Sequence, residues 1–153
     1  MKKIGSYTAR GIVLEAETEA GKPQLVSLFD GRFDTGYRVT NFQVWGADMS
    51  TTAGYVAGKI SKNDKGVTTQ ANFFRADDDN QIAWSTSAHG TDGGAFPLGN
   101  TIIDPDNLII EDLYVYGRAN VAGSEINYLI EMEKYEITEA RGALTMARDK
   151  QQE

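Results

Sequence analysis

Cysteine is missing from this 153-residue chain and histidine occurs once. Without cysteine there is no disulfide scaffold, and the redox compartment leaves no mark on the sequence. No apolar run comes near the ~20 residues that span a bilayer as a helix. The start, Met1-Lys2-Lys3-Ile4-Gly5-Ser6-Tyr7, is basic, but Thr8, Arg10 and Gly11 follow before an apolar segment can form, so no secretory signal is expected. Asn-x-Ser/Thr is absent as well, which removes N-glycosylation as a clue to secretion. Nor does any residue spacing match the demands of a catalytic or metal-site motif.

Charge is unevenly placed. Residues 1–50 carry six basic and six acidic side chains, residues 51–100 four and five, and residues 101–153 five and eleven. The net charge of -7 therefore comes largely from the last third. An acidic chain with no basic stripe repels phosphate backbones, so direct nucleic-acid binding is not expected. Hydrophobic residues make up 41% and aromatics 10%, enough for one packed domain over residues 1–153, with 1–5 and 148–153 as flexible ends.

What fills the chain is period-two alternation of apolar and polar residues, the mark of half-buried strands. Strands are expected over 7–17, 24–30, 37–45, Gly54–Ser61, 81–87, 107–117 and 125–138, with 67–74 open between a strand and a helical turn. Asp30-Gly31 is a tight hairpin turn signal, and Asn63-Asp64-Lys65-Gly66 a four-residue turn. In the last strand Ile126, Tyr128, Ile130 and Met132 share a face before the apolar phase flips to Tyr135 and Ile137, which predicts a β-bulge near Glu133-Lys134. Residues 87–106 read as a long irregular loop, and 139–153 as a short helix or an extended arm. Eight antiparallel strands predict a single all-β sandwich of jelly-roll type, with a seven-stranded immunoglobulin-like sandwich as its neighbour.

Candidate chemistry is sparse. His89 lies near Ser85, Ser87 and Asp92, but no Gly-x-Ser-x-Gly elbow accompanies them, and a solvated loop histidine is the plainer reading. Asp77-Asp78-Asp79-Asn80 and Asp104-Pro105-Asp106-Asn107 offer oxygens that could hold calcium, yet lack the spacing of a calcium loop and read first as turns. Trp45, Tyr55, Phe73, Phe74, Trp84, Phe96, Tyr114 and Tyr116 could stack on sugars. Both tryptophans fit a core or interface position better. Tyr114 and Tyr116 alternate with Leu113 and Val115, and a strand apolar on both faces is covered on both, by a loop or by another subunit. No catalytic residue, cofactor ligand or metal ligand is assigned.

The stretches Asn107-Leu108-Ile109-Ile110-Glu111-Asp112-Leu113-Tyr114-Val115-Tyr116-Gly117 and Ile126-Asn127-Tyr128-Leu129-Ile130-Glu131-Met132-Glu133-Lys134-Tyr135-Glu136-Ile137 resemble the closing strand pair of small β-rich virion proteins of environmental bacteriophages. With 37–45 and Gln81-Ile82-Ala83-Trp84 the resemblance covers about the last two-thirds of the chain. It implies a capsid or capsid-decorating subunit, located in the virion, which associates with itself and with other virion proteins and carries no catalytic residues. Only Lys2 and Lys3 stand where many small coat proteins have a basic arm. A carbohydrate- or receptor-binding sandwich is the alternative, and a hydrolase on the same scaffold the third reading. Under the leading one, 113–116 and 126–132 form adjacent central strands. The loop 87–106 and both termini make the subunit contacts, and Lys59, Lys62, Lys65 and Arg75 supply a basic surface for the acidic last third.

Overall fold

The computed structural model describes residues 2–14, 23–28, 31, 34–47, 54–62, 74–89, 98–120 and 124–137. They form eight strands, β1 (Lys2–Leu14), β2 (Gln24–Val26), β3 (Thr35–Gly46), β4 (Gly54–Ser61), β5 (Gln81–His89), β6 (Leu98–Ile103), β7 (Leu113–Ala119) and β8 (Glu125–Glu136), and no helix is present among them. The strands build two antiparallel sheets, β1-β8-β3 and β2-β7-β4-β5-β6. The all-β, two-sheet architecture is therefore the one that alternation predicts. Pairings nest: β1 lies beside β8, β2 beside β7, β4 beside β5. The connections from β1 to β2, β2 to β3, β3 to β4 and β7 to β8 each cross from one sheet to the other.

Those crossings correct two expectations. β7 and β8 are internal strands, but of opposite sheets, so they are not neighbours. The chain after Gly31 likewise leaves β2 for the other sheet and makes no hairpin, although Gly31 does take the positive φ of 84° that its turn reading requires. Adjacency in sequence favours pairing only where the connection stays on one sheet edge. Residues 98–103, expected in a loop, are β6, while 107–112 precede β7 and contribute a single bridge, Tyr37 to Ile109. The ambiguous 67–73 and the tail 139–153 lie outside the described residues, as do 1, 148–153 and the Asn63 turn.

The expected bulge in β8 is absent; its partners hold the extra residues. Register slips between Lys3 and Gly5 in β1 and between Val39 and Asn41 in β3, while β8 runs straight through. The slip at Thr40 explains how Val39 and then Phe42 and Val44 all reach the core. The apolar flip at Tyr135 and Ile137 has another cause. These residues pack with Leu108 and Ile110 in a second, smaller core.

The main core lies between the sheets, with Ile126, Tyr128, Ile130 and Met132 of β8 facing Leu113 and Val115 of β7 and Ile60 of β4. Two glycines let the layers close. Gly58 and Gly117 are directly paired in β4 and β7. A Cβ on Gly58 would stand 2.6 Å from Val44 Cγ1, and one on Gly117 would stand 2.8 Å from Ile126 Cδ1. Large side chains of one sheet thus seat against bare backbone of the other.

The outer edge of β3 is sealed by side chains and one bridge. Asn107, buried, accepts from Val39 N at 2.8 Å and donates to Val39 O at 3.2 Å. Its amide replaces a missing strand at the bulge, so that no buried backbone group is stranded there. Tyr37 and Ile109 exchange two backbone bonds of 2.8 Å next to it. Further along, Thr101 of β6 donates to Phe42 O at 2.7 Å. A hydroxyl has one proton, so Ser85, 3.3 Å away, must be the donor to Thr101. The polar chain Ser85–Thr101–Phe42 closes this side of the sandwich.

Candidate functional site

Two surfaces hold what chemistry the chain has. The first is the outer face of the five-stranded sheet, where register aligns Tyr116, Lys59, Trp84 and Ile102 in a row across β7, β4, β5 and β6. Alternation reads Lys59 as solvent-facing, yet it is 0% exposed and Tyr116 beside it 1%. The Lys59 ammonium lies 5.0 Å from the Tyr116 ring centroid, a cation–π contact. Burial lowers the amine to about 8, and the charge of Asp78 opposes that shift.

Asp78 is placed by a turn. Its Oδ1 accepts from Asn80 N at 3.0 Å, the Asx arrangement that made this tetrapeptide a turn signal. Gln81 joins the turn to the sheet: its Oε1 accepts from Arg75 N at 2.9 Å and from Trp84 Nε1 at 3.0 Å. The arrangement pins the indole of Trp84, which is paired with Lys59 across the two strands. A lysine with a lowered pKa is a better nucleophile than a free one, but full burial keeps solutes from this one. Tyr116 is accordingly covered within the chain, whereas Tyr114 is half-buried. Trp45, by contrast, is half-buried in β3 of the other sheet, so the aromatics are divided between sheets and form no single platform.

The second surface is the three-stranded sheet and its β1 edge. At one end of its outer face Lys3 bridges Glu133 at 3.1 Å, Tyr135 donates to the same carboxylate, and the Arg38 guanidinium lies 5.3 Å from the Tyr135 ring centroid. The hydrogen bond from Tyr135, then that from Lys3, holds the Glu133 carboxyl below its ordinary range, and the same bond pushes the Tyr135 phenol up. Toward the other end β1 exposes Ile12 at 47% and Leu14 at 60%.

The remaining candidates resolve into structure. Asp77 is spent on Arg75, whose Nε and Nη2 donate to its two oxygens at 2.9 and 2.6 Å, and this pairing lowers its pKa. Asp104 Oδ1 accepts from Asp106 N at 3.0 Å, a second Asx turn. No group of three His, Cys, Asp or Glu able to hold a metal ion occurs among the described residues. His89 ends β5, paired with Gly54, and so is part of a strand; Asp92 lies outside the described residues, as do Phe73, Phe96 and Lys65. The basic surface drawn from Lys59, Lys62, Lys65 and Arg75 does not form as expected, because Lys59 is buried and Arg75 is paired with Asp77. Among the described residues no helix is long and apolar enough to cross a membrane. No family model matches the chain, and no curated protein matches it.

Proposed function

We propose that this chain is a structural subunit of a virus particle: a self-assembling, jelly-roll-type capsid or capsid-decorating protein that works by packing against its own copies and other virion proteins. One observation carries the reading. Of the seven large apolar side chains exposed among the described residues, six stand on edge strands: Ile4, Tyr7, Ile12 and Leu14 on β1, Leu25 on β2 and Ile102 on β6. Exposed apolar residues collected at sheet edges are what subunit contacts use, and what a chain meant to stay alone avoids.

The strand order supports the same reading. The pairs β1-β8, β2-β7 and β4-β5 resemble the nesting that two Greek keys give when rolled together, the architecture of many viral capsid domains. β6 departs from a full roll: it is bonded to β5 and reaches β3 through Thr101. The net charge of -7 fits a subunit that leaves neutralisation of the genome to another component.

Electron microscopy and light scattering of the purified full chain test the proposal. Closed shells or regular multimers are expected. A monomer at every concentration that binds glycans would replace this reading with that of a carbohydrate-binding sandwich.

A further inference from the structure

β1 reads alike from either end. About Thr8 the segment Ile4-Gly5-Ser6-Tyr7-Thr8-Ala9-Arg10-Gly11-Ile12 sets isoleucine against isoleucine and glycine against glycine. A strand edge pairs with its own copy around a two-fold axis only if residue i suits residue j in both directions, and this segment meets that condition. We propose that two copies of the chain join through β1, antiparallel about Thr8, turning two three-stranded sheets into one of six strands.

The opposing pairs are then Ile4 with Ile12, Gly5 with Gly11, Ser6 with Arg10, Tyr7 with Ala9, and Thr8 with itself. Residues directly opposite share a face, so each bulky side chain meets a mate or a gap. Ile4, Tyr7 and Ile12 are 48%, 45% and 47% exposed, large values for such side chains within a strand. The charges agree. Lys2 and Lys3 fall beyond the slip at Ile4 and outside the paired segment, and Arg10 faces Ser6, so no like charges stand directly opposite.

Edge geometry selects β1 over the sheet's other border. Along β3, Asn107, Ile109 and Thr101 already occupy the outer edge. β1 pairs with β8 on one side, and no strand pairs with its other side among the described residues. The slip at Ile4 ends the regular ladder, so backbone bonds would run from Gly5 to Gly11 with an isoleucine pair closing each end.

This inference rests on the reading of the chain as self-assembling, and the absence of cysteine supplies a test that separates the two. Thr8 is exposed, and its Cα would lie about 4.5–5.5 Å from its copy across the axis, within disulfide reach. Thr8→Cys in the full chain, mildly oxidised, is expected to give mostly disulfide-linked dimer. Arg10→Cys alone should give at least tenfold less, because two such positions lie four residues apart along the ladder, about 13 Å. Mixed in equal parts with Ser6→Cys, however, Arg10→Cys should cross-link about half as well as Thr8→Cys does, since half of the dimers then set one cysteine opposite the other. A multimeric chain in which Thr8→Cys links no better than Arg10→Cys overturns the β1 contact and leaves self-assembly standing. A chain that sediments as a monomer throughout overturns both. If the Ser6→Cys and Arg10→Cys mixture fails to link, the register about Thr8 is wrong.

Discussion

Replacing Lys59 by methionine should stabilise the protein near neutral pH, an unusual outcome for a substitution at a fully buried position. The amine falls from 10.5 to about 8 on folding. At about 1.4 kcal/mol per pKa unit, keeping Lys59 charged in the folded state costs about 3 kcal/mol at pH 7. The sign follows from proton counting. Between the two pKa values the unfolded chain binds the extra proton, so stability rises with pH across that window and is flat below it. Wild-type protein should thus gain about 2 kcal/mol between pH 7 and pH 9.5 from this one group. Methionine keeps the length and flexibility of the side chain but has no charge to desolvate. Loss of the contacts with Tyr116 and Asp78 offsets part of the relief, leaving a net gain of about 1–2 kcal/mol. Urea unfolding of both proteins at pH 7, 8.5 and 9.5 reads the effect. Higher pH is avoided because burial raises the Tyr128 phenol, which would lower stability in the opposite sense. If the variant is less stable than wild type at pH 7, or keeps the same rise with pH, Lys59 carries no desolvation penalty and the account of this face is wrong.

Asn107→Leu should lower stability by about 2–4 kcal/mol, because it strands the buried N–H and C=O of Val39; a melting temperature within a degree of wild type would dismiss the plug role. Gly58→Ala should cost about 1–3 kcal/mol by forcing Val44 and Phe42 away, whereas Gly99→Ala, whose nearest neighbour would be Thr86 O at 3.4 Å, should stay within about 0.5 kcal/mol. Paired denaturation curves distinguish them. Millimolar calcium should leave the melting temperature unchanged, since Asp77, Asp78 and Asp104 direct carboxylate oxygens to Arg75 and to their own turns; a rise of several degrees reversed by chelator would show a site.

Much of the fold could be read from the chain before its structure. Gly54–Ser61 is one strand in both, and the alternation of β3 and β8 is plain because their inner faces are apolar and their outer faces polar. β6 escaped because Gly99-Asn100-Thr101 sits at its centre, and those residue types mark turns as readily as an edge strand with little to bury. The bulge falls on the partner strands and not on β8, and a geometric reason hides this from the sequence. A change of phase along one strand looks the same whether that strand holds the extra residue or a second core claims its far face, as Leu108 and Ile110 do for Ile137. Lys59 reads as surface since nothing local tells a strand that its outer face will be closed, or that Asp78, nineteen residues away, will act on its charge. Asn107 reads as a turn former, although the Leu-Ile-Ile run behind it signals a backbone on its way into the interior.

β8 is the last strand among the described residues and the middle strand of its sheet, with β1 and β3 bonded to it and not to each other. During synthesis those two strands therefore emerge with nothing to pair with, and they wait until Glu125–Glu136 has left the ribosome. The three-stranded sheet forms in a single closing event, once β8 is available. A chain broken off before β8 would not be a slightly shortened subunit but one without that sheet, carrying a long unsatisfied β1. The same arrangement bars any incomplete copy from presenting a finished edge to a neighbour.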